Sequence, residues 1–346
     1  MTLLNQSTES PVDPNFESRL IEALQPIRGM ALAQSIHQLI NSGIYQIIEA
    51  SPTSVEDIAK ALKMEPSRVA GFFRYLANED IVSLEDDVAT LTAKGGGLRD
   101  FRPWYELLVG GYANTFGQIT QTMSQQAYAT RDGAMVGLGS CGISQYDALP
   151  LVRQLLMDAP VSPAEIVDIG CGSGDFLVDL AKDYPGVTAV GVDPYAPVDK
   201  QTGSLVFHQA SAVDFVRALE ADGGSADWAD KLFVGAFLLQ EILEQQGRAT
   251  IIEMVRTILR HGAYFAVVEV DHRPTDPSVM RHGLGQAYYN PYYLLHILTE
   301  QRLETTDFWL DLFDEAGATV VSQRTVNPKV DSTGLEFGCL LKKEVR

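Results

Sequence analysis

The sequence has few cysteines and no long apolar run, and each shortage excludes a class of protein. Its three cysteines, Cys141, Cys171 and Cys339, match neither the spacing of a metal site nor that of a disulfide framework. This usage predicts a reducing compartment, the cytoplasm. No apolar run reaches the ~18 residues that a membrane-spanning helix requires, and the N-terminal residues lack the basic and apolar regions of a signal peptide. We therefore expect no membrane partner.

Basic residues are also scarce. The 346 residues include 26 Lys and Arg against 45 Asp and Glu, which gives a net charge of −19. A surface of this charge repels the phosphates of nucleic acids and of anionic lipids. The composition therefore predicts that the protein has no nucleic-acid partner.

The sequence does have enough apolar residues for two folded domains. Of its residues, 46% are hydrophobic and 21% are charged, and the chain exceeds the ~100–200 residues of one ordinary domain. We expect a flexible arm at residues 1–19 and a mainly α winged-helix domain at 20–100. A helical linker that contributes to a pocket should follow at 101–150, and an α/β domain at 151–346.

Residues 20–100 show helical periodicity that ends in two short strands. Residues 41–43, Asn-Ser-Gly, indicate a turn between two helices. Ser54 and Pro66 are suited to begin two more helices, and two strands between Ile81 and Leu91 would form a wing. Such domains often bind DNA, but residues 28–100 contain seven Lys and Arg against ten Asp and Glu. This balance favours a dimerisation role over DNA binding.

From residue 151 onward, apolar strands alternate with helical segments. This alternation predicts a mainly parallel sheet with helices on both faces. The strand candidates are Glu165–Ile169, Val187–Val192, Leu205–Gln209, Leu232–Leu238, Ala263–Glu269, Ala318–Thr325 and Leu335–Lys342.

A glycine-rich turn follows the first of these strands. Residues 168–174 read Asp-Ile-Gly-Cys-Gly-Ser-Gly, and Asp193 ends the second strand. Glycines let backbone amides approach a ligand closely, and an acid at the second strand can accept both hydroxyls of a ribose. A dinucleotide site would require G-x-G-x-x-G, whereas here the third glycine comes one position early. Asp168 would also repel a diphosphate and favour a positively charged ligand such as S-adenosylmethionine.

With these features, residues 160–270 resemble a class I S-adenosylmethionine-dependent methyltransferase. The whole chain is similar to small-molecule methyltransferases that join a winged-helix dimerisation domain to a Rossmann-like, seven-stranded catalytic domain. The resemblance implies a homodimer and S-adenosylmethionine as the cofactor. By position, it implies that Gly170 and Gly172 contact the methionine part of the cofactor. Asp193 would bind the ribose, and Ser211 and Ala212 would contact the adenine. Asp168 would lie near the positive charge.

The catalytic base of the commoner members is absent. Plant-type and polyketide O-methyltransferases of this architecture resemble one another in a His on the helix after the fourth strand, and this chain has Gln240 there. Glutamine cannot act as a general base, so phenol O-methylation by that route is disfavoured.

Two stretches, residues 131–147 and 287–304, are similar to bacterial methyltransferases that C-methylate α-keto acids. The substrate that this resemblance implies is 2-ketoarginine (5-guanidino-2-oxopentanoate), methylated at its β-carbon. Some members hold a non-haem metal with two histidines. His296 matches one of those ligands, but Gln240 occupies the other position. A metal therefore stays open, and we assign no metal ligand.

The implied reaction needs a base, an orienting group and a clamp for the keto acid. We expect His296 to be the base, Gln240 to orient the substrate, and Arg281 or Arg131 to clamp its carboxylate. A guanidinium group would require a facing acid, for which the candidates are Asp147, Glu241 and Glu269.

Two other interpretations remain open at this point. The chain could be an O- or N-methyltransferase of a small aromatic or peptide natural product. It could also be a winged-helix regulator that senses S-adenosylmethionine without catalysis, although the acidic charge of residues 28–100 argues against that.

Overall fold

The computed structural model describes residues 15–125, 127–223, 230–260 and 263–343. The chain forms two compact units, residues 1–105 and 106–346. Of the expected N-terminal arm, residues 1–14 lie outside the described residues, and the first helix already begins at Phe16.

The first unit is mainly helical and ends in a small sheet. Two helices separated at residues 42–43 come first, as the Asn-Ser-Gly turn predicts. Ser54 begins the third helix by accepting a hydrogen bond from the Asp57 amide (3.1 Å). The three strands lie in the order β1-β3-β2. The elements are α1 (Phe16–Asn41), α2 (Ile44–Ala50), β1 (Thr53–Ser54), α3 (Val55–Ala61), α4 (Pro66–Asn78), β2 (Val82–Glu85), β3 (Val88–Leu91), α5 (Ala93–Gly96) and α6 (Arg102–Trp104).

The core of this unit joins the helices to the wing. Ile58 of α3, Phe73 and Leu76 of α4 and Ile81 beside β2 are fully buried and belong to one apolar cluster. The predicted helices and the paired strands β2 and β3 of the wing are present, and β1 adds a third strand that was not predicted.

The second unit alternates helices and strands around one sheet. Its elements are α7 (Ala113–Ser124), α8 (Gly133–Ser144), α9 (Ala148–Met157), β4 (Glu165–Ile169), α10 (Asp175–Ala181), β5 (Thr188–Val192), β6 (Leu205–His208), α11 (Ala212–Gly223), β7 (Lys231–Ala236), α12 (Leu239–Gln246), α13 (Arg248–Arg260), β8 (Tyr264–Val270), α14 (Pro277–Met280), α15 (Asn290–Leu298), α16 (Thr306–Glu315), β9 (Ala318–Thr325) and β10 (Glu336–Lys343).

The sheet has seven strands in the order β6-β5-β4-β7-β8-β10-β9. Strands β4 to β8 pair in parallel, whereas β10 is antiparallel to both β8 and β9. Successive residues of a strand point to opposite faces: Val167 packs in the cluster with α13 and α16, and Ile166 packs in the cluster with α9 and α10. Helices thus cover both faces of the sheet.

Strand β7 is shorter than the sequence predicts. It ends at Ala236 because Phe237 adopts a left-handed backbone conformation (φ 56°) while its amide bonds to the Val268 carbonyl oxygen (2.8 Å). That conformation is costly for a non-glycine residue, and it turns the chain into α12 at the carboxyl edge of the sheet. Among the helices that the structure describes, none combines the length and apolar character needed to cross a membrane.

Candidate active site

A cavity of about 440 Å³ opens in the second unit at the carboxyl edge of the parallel strands. Ligands of open α/β sheets bind at this edge. Its walls come from the glycine turn after β4, the end of β5, helices α8, α12 and α15, and the first residue of β10. Residues 107–147 contribute a large part of the lining, where the sequence predicts a linker with a pocket wall.

The glycine turn presents bare backbone to this cavity. Gly170 and Gly172 have φ angles of +85° and +50°, a region that favours glycine. A Cβ at Gly170 would lie 3.1 Å from Leu238 Cδ1, and one at Gly172 would lie 3.0 Å from Cys141 Sγ. The turn therefore has the open cradle that a bound S-adenosylmethionine would require.

Asp193 is held rigidly beside this turn. Its Oδ2 accepts a hydrogen bond from the Gly172 amide (3.2 Å), and its Oδ1 accepts one from the Tyr195 amide (2.7 Å). Each carboxylate oxygen can accept a second bond. The oriented carboxylate thus suits a pair of ribose hydroxyls.

Three of the predicted cofactor residues do not line the cavity. Asp168 is buried behind the turn, where burial and the nearby Asp193 charge raise its pKa to about 7. Ser211 caps α11, since its hydroxyl accepts from the Asp214 amide (3.1 Å) and donates to Asp214 Oδ2 (2.8 Å). Ala212 is buried in the sheet core.

His296 also lines the cavity. Its Nδ1 is 2.8 Å from the Tyr292 carbonyl oxygen. Because a carbonyl can only accept, Nδ1 carries the proton and Nε2 keeps a lone pair. Burial, and then the charge of Arg131, lowers the pKa of His296 to about 3. The ring is therefore neutral at physiological pH.

Gln240 and His296 are both hydrogen-bonded to Tyr292. Gln240 Nε2 donates to the Phe237 carbonyl oxygen (3.2 Å) and to the Tyr292 hydroxyl (3.3 Å). Its buried Oε1 has no hydrogen-bond partner among the described residues. Burial raises the pKa of Tyr292 well above its usual value, so this hydroxyl keeps its hydrogen and can donate it.

Of the two arginines expected as clamps, Arg131 lines the cavity and Arg281 does not. Arg281 is exposed at the end of α14. Arg131 donates from Nη2 to Glu241 Oε1 (2.7 Å), which also accepts from Gln301 Nε2 (3.1 Å). The other terminal nitrogen, Nη1, is buried and has no partner in the described part of the chain. A buried donor of this kind suits an anionic ligand.

A pair of buried carboxyl groups also lines the cavity. Asp147 precedes α9 and Glu336 begins β10; the two are hydrogen-bonded to each other. Burial raises the pKa of Asp147 to about 7. Burial, followed by the Asp147 charge, raises that of Glu336 well above its usual range. Asp147 is among the acids predicted from the sequence; Glu336 is not, although a single acid in an otherwise apolar strand is a visible signal.

The described residues do not fit a metal centre. No group of three or more His, Cys, Asp or Glu side chains in the described ranges is arranged to hold a metal ion. Two acids near the ends of β8 have other partners: Glu269 accepts from the Leu239 amide (2.7 Å), and Asp271 pairs with Arg273 (2.5 Å). His272 packs edge-on against Tyr293.

Comparisons with known proteins identify the family. A family model described as "Putative methyltransferase" matches residues 162–213, which contain the glycine turn and Asp193. The chain is 55% identical over 332 residues to 2-ketoarginine methyltransferase of Streptomyces arginensis, and the match covers 96% of this chain and 98% of that protein.

Solved structures confirm the predicted fold. Human N-acetylserotonin methyltransferase in complex with S-adenosylmethionine superimposes with a TM-score of 0.64 at 12% identity, covering 97% of this chain and 99% of that one. Mitomycin 7-O-methyltransferase gives 0.60 at 14% identity, covering 96% and 100%. The regulator interpretation is therefore wrong, and the O- or N-methyltransferase alternative is not favoured. The chain belongs to the family of 2-ketoarginine methyltransferase and is an S-adenosylmethionine-dependent methyltransferase.

Proposed function

We propose that this enzyme methylates the β-carbon of 2-ketoarginine. The name of the 55% identical relative supports this substrate. The observation that carries the proposal is Arg131 Nη1, a buried cationic donor without a partner among the described residues, in the same cavity as His296 and the glycine turn. A keto-acid carboxylate supplies the anion that this donor requires.

When bound, S-adenosylmethionine would supply the electrophilic methyl group of the reaction. In the proposal, the backbone of Gly170 and Gly172 lies along its methionine part, and Asp193 accepts from its ribose. Ser211 and Ala212 stay a prediction for the adenine side, at the start of α11. Asp168 does not contact the cofactor in this proposal. Its carboxyl group lies behind the turn, near Asp193 and outside the cavity lining, and acts through its charge.

His296 takes the β-proton of the keto acid in this mechanism. Its Nε2 has the lone pair, because Nδ1 is committed to the Tyr292 carbonyl. As the proton moves to Nε2, the electrons of the C–H bond form the carbon–carbon double bond of an enolate, and the keto oxygen gains the charge. A base whose pKa is about 3 is weak, so the reaction depends on groups that stabilise the enolate.

Arg131 and Tyr292 are the candidates for that stabilisation. Arg131 presents Nη1 to the carboxylate and keto oxygens, and Tyr292 has a hydroxyl hydrogen to donate while it accepts from Gln240. Gln240 therefore orients Tyr292, and its free Oε1 is a further acceptor. The enolate carbon is the nucleophile that would accept the methyl group, and the electrons of the carbon–sulfur bond would leave with S-adenosylhomocysteine.

The product distinguishes this proposal from its alternatives. With methyl-labelled S-adenosylmethionine and 2-ketoarginine, NMR should show a methyl doublet, because the methylated β-carbon keeps one hydrogen. With S-adenosylhomocysteine in D₂O, the enzyme should exchange the β-hydrogens faster than buffer does. An O–CH₃ or N–CH₃ singlet, or no turnover of any 2-oxo acid in a panel, would overturn the proposal.

We also propose that the enzyme is a homodimer that acts in the cytoplasm. Helix α1 has an apolar stripe at helical spacing whose members are 43–65% exposed in the monomer: Phe16, Leu20, Leu24, Ile27 and Met30. Such a stripe is typical of an interface. The three cysteines are free, which suits a reducing compartment.

Light scattering tests the dimer. The wild-type chain should give about twice the monomer mass of 37.9 kDa. Ile27→Glu should shift it towards the monomer, whereas Gln25→Glu on the same helix should not. A monomeric wild type would refute the dimer and leave the proposed reaction untouched.

A further inference from the structure

The paired carboxyl groups of Asp147 and Glu336 have no role in the reaction described so far. We propose that they form a subsite for the guanidinium end of the substrate and set the specificity for a cationic side chain. This inference rests on the proposed function, because it assumes a 2-oxo acid whose carboxylate lies at Arg131.

Glu336 is the strongest observation for a ligand. Its side chain is 4% exposed and lines the cavity, yet its Oε1 has no hydrogen-bond partner among the described residues. Asp147 is 6% exposed. A buried carboxyl oxygen without a donor costs free energy, and a ligand that donates hydrogen bonds at this point removes the cost.

The neighbours of the pair do not supply a positive charge. Arg131 is the only Lys or Arg among the described lining residues, and it is paired with Glu241. Next to the pair lies a third acid, Asp331, which accepts from the Tyr289 hydroxyl (2.5 Å) and the Thr333 amide (2.8 Å). The charges of Asp331 and Asp147 both act on Glu336. In the described part of the chain, no Lys or Arg is among the main groups that shift the pKa of Asp147 or Glu336.

A guanidinium group matches the pair in shape as well as in charge. It is planar, it has several donors in a fixed fork, and it stacks on aromatic rings. Tyr288 and Tyr289 line the cavity, and their ring centroids are 5.0 Å apart. Burial, followed by the charges of Asp147 and Glu336, raises the pKa of Tyr288, which therefore lies close to the pair. Two carboxyl groups beside aromatic rings thus provide both acceptors and a stacking surface.

The shared proton adds a consequence that can be measured. Without a ligand, the Asp147–Glu336 pair retains a proton near neutral pH, because both groups are buried and Asp331 lies beside them. The other titratable groups that face the pair are the hydroxyls of Tyr288 and Tyr289, which stay protonated. A bound cation favours ionisation of both acids. Binding should therefore release a proton at pH 6–7.

The test compares 2-ketoarginine with 5-ureido-2-oxopentanoate, whose side chain ends in an uncharged urea with oxygen in place of one guanidinium nitrogen. The wild-type kcat/KM should be ~10–10²-fold higher for 2-ketoarginine, since hydrogen bonds to charged groups are the stronger ones. Glu336→Gln should lose most of this preference, because its kcat/KM should fall for 2-ketoarginine and stay close to the wild-type value for the urea analogue. Asp147→Asn should do the same. Glu269→Gln, a buried acid outside the lining, should leave the ratio unchanged.

Calorimetry of the wild-type enzyme in buffers of different ionisation enthalpy provides a second readout that needs no variant. It should detect proton release with 2-ketoarginine and none with the urea analogue. Equal wild-type efficiency for both substrates, or no proton release with 2-ketoarginine, would overturn the subsite. If neither 2-oxo acid is methylated, the proposed function itself fails.

Discussion

Replacement of Arg131 by glutamine tests how the substrate carboxylate is held. The change removes Nη1, the buried donor without a partner, and also removes the 2.7 Å bond to Glu241. Glutamine keeps part of the side-chain volume, so the cavity wall should persist. We expect Arg131→Gln to lower kcat/KM for 2-ketoarginine while the affinity for S-adenosylmethionine stays close to that of the wild type.

The size of the expected loss in kcat/KM follows from the contacts of Arg131. A hydrogen bond to a charged group contributes ~1.5–3 kcal/mol, which corresponds to a loss of ~10–10²-fold in kcat/KM. The Arg131 side chain is 20% exposed, so solvent screens its charge only partly. Glu241 would lose its cationic partner while keeping the bond from Gln301, and its charge would repel the substrate carboxylate, which enlarges the effect. The double variant with Glu241→Gln removes that repulsion and should recover part of the loss.

Steady-state kinetics with 2-ketoarginine, together with calorimetry for S-adenosylmethionine, measures both quantities. Loss of a clamp that acts equally before and during the reaction raises KM alone, whereas loss of one that stabilises the enolate also lowers kcat. Arg281→Gln is the matched control, because that arginine is exposed and does not line the cavity. If Arg131→Gln keeps wild-type kcat/KM, the carboxylate does not bind at Arg131 and the reasoning fails.

Three further predictions concern the other parts of the site. His296→Ala should slow β-hydrogen exchange and methylation by ~10²–10⁴-fold, and full activity in this variant would exclude His296 as the base. Because the pKa of His296 is about 3, its ionisation should leave the wild-type rate flat above pH 5. Asp193→Ala should weaken S-adenosylmethionine binding by ~1–3 kcal/mol, and unchanged affinity in calorimetry would contradict the ribose contact. In urea denaturation, the free energy of unfolding of the ligand-free chain should fall as pH rises from 5 to 8. The reason is that the pKa of Asp168 is raised to about 7 and that of Glu269 to about 8, so the folded state binds protons that the unfolded state has released. Asp168→Asn should flatten that dependence, and a rise in stability over this range would refute it.

The cofactor half of the site could be predicted from the sequence because its geometry is local. Residues 165–193 form one strand-turn-helix-strand unit, so the spacing of Gly170, Gly172 and Asp193 already places them at one sheet edge. The seven strands were also visible as apolar runs. The position of β10 between β8 and β9 was not predicted, since it depends on pairing between residues far apart in the chain.

The substrate half could be predicted only in part, because its residues meet through packing. Arg131 and Arg281 have the same chemistry in sequence, and only the fold decides that one lines the cavity and the other faces solvent. Glu336 has the position of an ordinary strand residue, and only its apolar neighbours mark it as unusual. His296 was predicted by resemblance, but its tautomer depends on the Tyr292 carbonyl, which helix α15 supplies.

The insertion of the last strand between β8 and β9 has a consequence for biosynthesis. A ribosome makes the glycine turn and Asp193 long before it makes residues 336–343, which pair with both neighbours and place Glu336 at the cavity. A nascent chain can therefore form the β4–β5 unit while strands β8 and β9 still lack their common neighbour. Selectivity for the side chain of the substrate would then be completed only when residues 336–343 have been made and enter the sheet.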